Sequence, residues 1–272
     1  MKILHINEYD MAYLDIGEGL PIICIHGSLN DFRAWNAVLG PLSASNRLIV
    51  PSMRHYFPEQ WNGQGGHFRM DQHIEDTISF IEELDLGPVN LIGHSRGGHI
   101  SFRVGIKRPD LIRKLVLAEP GGTLEEGLMP ADAAKLSEGA GSRAHIAQSS
   151  ERIAAGDLEG GLRIFIDGIN GPGAWEKLPL VDRQMRADNA YTLLAQVNEG
   201  RRPYSKADAE ALSLPTLFVG GADTTGLLPV VLRVLAAHTP HAETAVIPNA
   251  GHSMFRQQPK AFCDAVLPFL AA

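Results

Sequence analysis

Short, unbroken apolar runs recur along this chain, separated by longer stretches in which apolar residues return every three or four positions. The runs of the first half are 11–16, 21–25 (Pro21-Ile22-Ile23-Cys24-Ile25), 47–50 (Arg47-Leu48-Ile49-Val50), 89–92 (Val89-Asn90-Leu91-Ile92) and 114–118 (Lys114-Leu115-Val116-Leu117-Ala118). Runs apolar at successive positions suit strands covered on both faces, as in a parallel sheet. Ile74, Ile78, Ile81 and Leu84 form a single stripe, which predicts a helix over 71–86, opened by Asp71 and ended by Gly87-Pro88. A second helix is predicted from about Ser95 to Arg108, where Pro109 stops it. This β-α-β-α-β order, with crossovers of this length, predicts an α/β fold built on a doubly wound, mostly parallel sheet.

After Ala118 the texture changes. Residues 121–212 carry Gly, Ala and Arg in several helical patterns, with no strand pattern among them. The strand pattern resumes at 216–220 and 244–247, and a closing helix is predicted over 259–269 with Phe262 and Val266 facing inward. The expected organisation is therefore one core, residues 1–120 and 213–272, interrupted by a helical cap over 121–212. A cap is preferred to a separate domain because the chain returns to the same sheet.

Composition narrows the possible partners. Of the 272 residues 44% are hydrophobic and 20% charged, an ordinary globular balance able to bury a sizeable core. The net charge, 24 − 31 = −7, offers no electrostatic reason to expect nucleic acid or an anionic membrane as partner. Cys24 and Cys263, the only cysteines, each lie in apolar runs and read as buried hydrophobes rather than a disulfide or metal site. No run approaches the roughly 18 apolar residues of a membrane helix, and the N-terminus turns polar too soon for a signal peptide. A cytoplasmic location is expected, with no metal and no cofactor.

The chemistry concentrates in a few loops. Gly93-His94-Ser95-Arg96-Gly97 follows an apolar strand and opens a helix, the context that a nucleophile elbow requires. Such a turn lifts the Ser95 hydroxyl clear of the sheet and aims the Arg96 amide, at the positive end of a helix dipole, toward a developing oxyanion. His26-Gly27-Ser28 follows the strand 21–25, so the Ser28 amide can supply the second oxyanion donor. A serine hydroxyl needs a base near neutrality. Of the 11 histidines, His252, in Asn249-Ala250-Gly251-His252 just past the last strand, stands where a base belongs. Two acids compete to orient it: Asp223, in Gly220-Gly221-Ala222-Asp223, and Glu119, which ends the strand after the nucleophile helix. Asp223 is preferred and Glu119 stays open. His67, His73, His94 and His99 lack the spacing of a zinc site, and Arg201-Arg202 reads as a solvated turn before Pro203.

His-Gly-Ser (26–28), Gly-His-Ser-Arg-Gly-Gly (93–98), Gly-Gly-Ala-Asp (220–223) and Asn-Ala-Gly-His (249–252), in that order, resemble the α/β-hydrolase superfamily. The resemblance spans the whole chain, with 121–212 in the place of the variable cap. It implies Ser95 as nucleophile, His252 as base, Asp223 as acid, and the Ser28 and Arg96 amides as oxyanion hole. Certain lactonases of the superfamily instead take the acid from the strand end where Glu119 stands. The chain departs from the superfamily's common Asp-x-x-Gly-x-Gly-x-Ser loop: Pro51-Ser52-Met53-Arg54-His55-Tyr56-Phe57-Pro58 occupies that place, and Arg54 is expected to brace neighbouring loops. The activity implied is hydrolysis of a small-molecule ester or lactone by acyl transfer. Carbon–carbon bond hydrolysis and cofactor-free perhydrolysis use the same triad, and a ligand-binding receptor on the same fold is the alternative of another class.

Overall fold

The computed structural model describes residues 1–131, 133 and 144–272. Of the expected cap, residues 132 and 134–143 lie outside the described residues.

Eight strands form one sheet: β1 (Lys2–Ile6), β2 (Tyr9–Ile16), β3 (Leu20–Ile25), β4 (Asn46–Pro51), β5 (Val89–His94), β6 (Ile112–Ala118), β7 (Thr216–Gly221) and β8 (Ala242–Ile247). Their spatial order is β1-β2-β4-β3-β5-β6-β7-β8. β2 pairs antiparallel with β1 and β4, and every other pairing is parallel. The apolar runs are explained by this order. In β3 and β5–β7, alternate residues feed opposite faces: Ile23, Ile25, Leu91, Leu115, Leu117 and Phe218 enter one core, while Ile22, Cys24, Ile92, Val116, Leu217 and Val219 enter the other.

Helices α1 (Leu39–Ser43), α2 (Met70–Glu83) and α3 (Arg96–Lys107) belong to the first half of the chain. Between β6 and β7 come α4 (Ala144–Ala154), α5 (Leu158–Asn170), α6 (Ala174–Lys177), α7 (Leu180–Asp188), α8 (Thr192–Gln196) and α9 (Lys206–Ala211). The chain then returns through α10 (Leu227–His238), α11 (Met254–Gln257) and α12 (Pro259–Ala271). α2, α3 and α10 cover the first core; α1, α11 and α12 cover the second. The inserted helices build a third cluster from Ile146, Ile153, Leu162, Phe165, Trp175 and Leu193, and Leu29, from the loop after β3, is packed into it.

Two of the elements that escape the hydrophobic pattern show why. β1 is an edge strand whose Ile3 is 62% exposed, so no apolar face announces it; the ladder from Lys2↔Tyr13 to Ile6↔Tyr9 holds it. α10 buries Leu227, Val230, Val231, Val234 and Leu235, and its β-branched residues and Pro229 disguise a helix as a strand-like run. Among the described residues no helix is long and apolar enough to cross a membrane.

Candidate active site

Ser95, Glu119, Ser28 and His252 all lie just beyond the carboxyl ends of sheet strands, after β5, β6, β3 and β8 respectively. In open α/β sheets this is the rim where ligands bind. Ser95 has φ 54° and ψ −118°, a region that costs a side-chain-bearing residue of order 1–3 kcal/mol. The turn is clamped from both sides: the Ser95 amide donates to Ala118 O at 3.1 Å, and Ser95 O accepts from the Gly121 amide at 2.8 Å. Gly97 must lack a side chain, since a Cβ there would stand 2.3 Å from Ile25 O. The same closeness brings the loop after β3 onto the elbow: a Cβ on Gly27 would lie 2.9 Å from that of Ser95. Ser28 thus follows directly on a residue touching Ser95, and Arg96 is the first residue of α3, where a backbone N–H has no partner inside its own helix.

His252, 6% exposed, meets Glu119 rather than Asp223. Its Nδ1 donates to Glu119 Oε2 at 2.6 Å, and the other carboxylate oxygen accepts from the Gly221 amide at 2.9 Å. The contact thus falls on Glu119, the acid kept open, and not on Asp223, the one preferred. Glu119 leaves β6 with φ 42°, is 1% exposed, and sits between β5 and β7, so its side chain spans to the loop after β8. Asp223 sits two residues past β7, where its backbone turns onto Ala250 O at 2.9 Å; its side chain is exposed and takes no hydrogen bond among the described residues. With Nδ1 turned to Glu119, Nε2 is the ring nitrogen that the carboxylate does not engage. His94 adds a brace that the motif alone does not show: its Nε2 donates to His252 O at 2.8 Å, and the two rings lie 4.5 Å apart. Burial, then the adjacent His252, hold His94 well below the ordinary imidazole range, so it is neutral at pH 7.

The loop after β4 is a scaffold. Arg54 donates to Asp76 on α2 at 2.7 and 2.9 Å and to Asn7 O at 3.1 Å, joining that helix to the β1–β2 turn. His26 Nε2 accepts from the Met53 amide at 3.0 Å, tying the loop after β3 to this one; burial brings its imidazole down to about 4.

The side chain of Arg96 turns away from the elbow into a buried network. Its Nε donates to Glu199 Oε2 at 2.8 Å, another guanidinium nitrogen donates to His73 Nδ1, and Phe68 lies 4.9 Å below it. Arg201 reaches the other Glu199 oxygen at 2.6 Å and is only 9% exposed, which corrects its reading as part of a solvated turn; Arg202, 69% exposed, fits that reading. Glu199 follows α8 of the insertion, so the network joins the insertion to α3.

Between the insertion and the loops after β3, β7 and β8 lies a cavity of about 680 Å³, lined among others by Arg33, Ile166, Asp182, Arg186, Asp223 and His252. Ser95, half-buried, is not among its lining residues. Arg186, on α7, is 5% exposed; burial, then the nearby Arg256, brings its guanidinium down to about 9. No local signal marked Arg186 or Glu199, whose partners Asn30 and Arg96 lie 156 and 103 residues away, and the bond from His94 to His252 spans 158 residues. Among the described residues no group of three or more His, Cys, Asp and Glu is placed to hold a metal ion.

The model of the family described as "Alpha/beta hydrolase family" matches residues 22–265. The chain belongs to this family. Among its relatives is an sn-1-specific diacylglycerol lipase from Mus musculus, 25% identical, with 95% of this chain and 83% of that protein aligned. A thermophilic esterase from Thermogutta terrifontis superposes with a TM-score of 0.76 at 25% identity, covering 96% of this chain and 93% of that one. The enol-lactonase from Burkholderia xenovorans LB400 superposes at 0.80 with 16% identity, over 99% and 100% of the two chains, a likeness of fold.

Proposed function

We propose that this α/β hydrolase is a serine enzyme that cleaves a carboxylic ester or lactone through an acyl-enzyme. Ser95 is the nucleophile, His252 the base, Glu119 the acid that orients it, and the amides of Ser28 and Arg96 the oxyanion hole. The helices between β6 and β7 serve as a cap over the cavity that His252 lines. The carrying observation is the 2.6 Å contact from His252 Nδ1 to the buried Glu119 carboxylate, made by a ring that packs 4.5 Å from that of His94, the residue before the strained Ser95.

The chemistry follows from those roles. His252 Nε2 takes the Ser95 proton as Oγ attacks the carbonyl carbon, and the developing oxyanion is held by the two amides. Nε2 then protonates the leaving oxygen, or the ring oxygen of a lactone, and the acyl group remains on Ser95. Water, deprotonated by the same nitrogen, attacks the acyl-enzyme and releases the acid. Throughout, the Glu119 carboxylate stabilises the imidazolium without taking its proton.

Intact-mass labelling with a fluorophosphonate probe tests the reading on the wild type and on Ser95→Ala. A single adduct on the wild type alone is expected. A folded wild type that takes no adduct, and turns over no member of an ester and lactone panel, would overturn it. Including vinylogous diketones in that panel separates ester cleavage from carbon–carbon cleavage on the same residues.

A further inference from the structure

The cavity is lined by four cationic side chains, Arg33, Lys177, Arg186 and Arg256, against two carboxylates, Asp182 and Asp223. Two of the cations are matched within the protein. Arg33 forks onto Asp31 at 2.9 and 2.7 Å and reaches Asp188 at 2.8 Å, and Arg256 pairs with Asp182. Lys177 is exposed and needs no partner. Arg186 is both buried and unmatched. One of its nitrogens, Nη1, donates to Leu29 O at 3.4 Å and to Asn30 Oδ1, both uncharged acceptors. The acids whose charge it feels, Asp182 and Asp31, are engaged elsewhere, Asp31 with both Arg33 and the Asn189 amide at 2.7 Å. Among the described residues no carboxylate stands within ion-pair distance of it.

A buried guanidinium without a counter-ion is costly, and neutral acceptors offset only part of its desolvation. The free side of this one is a specific shape. Among the described residues Nε and Nη2 have no hydrogen-bond partner, and neither is one of the fully buried polar atoms left without one, so both keep contact with the space around a side chain that lines the cavity. That pair of parallel N–H groups is the edge that receives a carboxylate in two hydrogen bonds. Its placement is equally specific, since Nη1 is held by the two residues that directly follow Ser28, and His252 lines the same cavity. An anion on Arg186 would therefore lie one short loop from the oxyanion donors.

We propose that the Nε–Nη2 edge of Arg186 binds a carboxylate of the substrate, so that the ester or lactone cleaved here is itself an acid. This rests on the cavity being the substrate site of the hydrolase proposed above. Arg186 is then a specificity-determining residue that completes its ion pair only when substrate arrives.

The test uses two matched compounds: the phenyl half-ester of glutaric acid, and the same ester with its free carboxyl converted to the primary amide. The wild type is expected to prefer the half-ester by about tenfold or more in kcat/KM, as for loss of a charged hydrogen-bonding partner. Arg186→Gln should bring that ratio close to one, and Arg186→Lys should restore part of it. Calorimetry on Ser95→Ala reads the same preference as a ratio of Kd values without turnover, and Ser95→Ala/Arg186→Gln should lose it. If neither compound is hydrolysed but calorimetry shows the Arg186-dependent preference, the catalytic reading fails and the carboxylate site stands. A wild type that does not distinguish the two compounds overturns the proposal, as does a preference that survives in Arg186→Gln. Should the glutamine variant not fold, the wild-type ratio and its drop in Arg186→Lys decide the matter.

Discussion

At the scale of single residues, side-chain reach rather than motif selects Glu119 as the partner of His252 and carries its proposed role as the orienting acid. Glu119 ends a central strand and is walled in, so its two oxygens meet one imidazole N–H and one backbone N–H. Asp223, in the more familiar motif position, is left in solvent. Glu119→Gln is accordingly expected to lower kcat by roughly 10³–10⁴-fold, because an amide at that site favours the wrong tautomer of His252. Asp223→Asn should lower kcat far less than Glu119→Gln does, by about tenfold at most, because its side chain lines the cavity but makes no hydrogen bond to His252. Steady-state kinetics on the folded variants, with an ester found in the panel, check both. The opposite ranking would return the role to Asp223. His94 shows that a motif residue can serve its neighbour's partner: it holds the backbone of His252 and leaves the ring free.

At the scale of elements, the antiparallel edge of the sheet depends on charge where apolar burial is thin. Asp15 on β2 receives Lys2 of β1 at 2.7 Å and Arg47 of β4 at 3.0 and 2.9 Å, so one carboxylate spans three strands. The hydrogen bond from Arg47 is the main cause that lowers its pKa from the usual 3.8 to about 2. A carboxyl depressed on folding stabilises the native state above its unfolded value, and that contribution is lost as pH falls from about 4 through about 2. Asp15→Asn is therefore expected to lower the urea midpoint at pH 7 and to lower it less at pH 3. An equal deficit at both values would mean that the ionised form of Asp15 does not stabilise the edge.

At the scale of the whole molecule, the inserted helices and the core are joined by buried charge as well as by apolar contact. Glu199 is shared by Arg96 from α3 and by Arg201 from the chain returning to the core. The sharing makes the three residues unequal. Without Glu199 two buried guanidinium groups lose their counter-ion, whereas without Arg96 the carboxylate keeps Arg201. Glu199→Gln should cost about 3 kcal/mol or more in urea unfolding, the usual penalty for stranding a buried charge, and Arg96→Met distinctly less. The reverse order would show that Arg96 carries the network through Phe68 and His73 rather than through the ion pair.

The central parallel strands and the helices α2, α3 and α12 were legible in the chain, because burial on two faces or one imposes a local periodicity that residue order must carry. The elbow around Ser95 and the loop of His252 were legible for a related reason. A strained turn and a close backbone approach restrict which residues fit, and that restriction is written at fixed spacing. The edge strand β1 was not, since a ladder of backbone hydrogen bonds needs no apolar residues. Neither was the choice of Glu119 over Asp223, the burial of Arg201, or the unmatched charge of Arg186. Each of these depends on which side chains meet across more than 100 positions, or on whether an acid nearby in space is already engaged, and only the packed chain decides that.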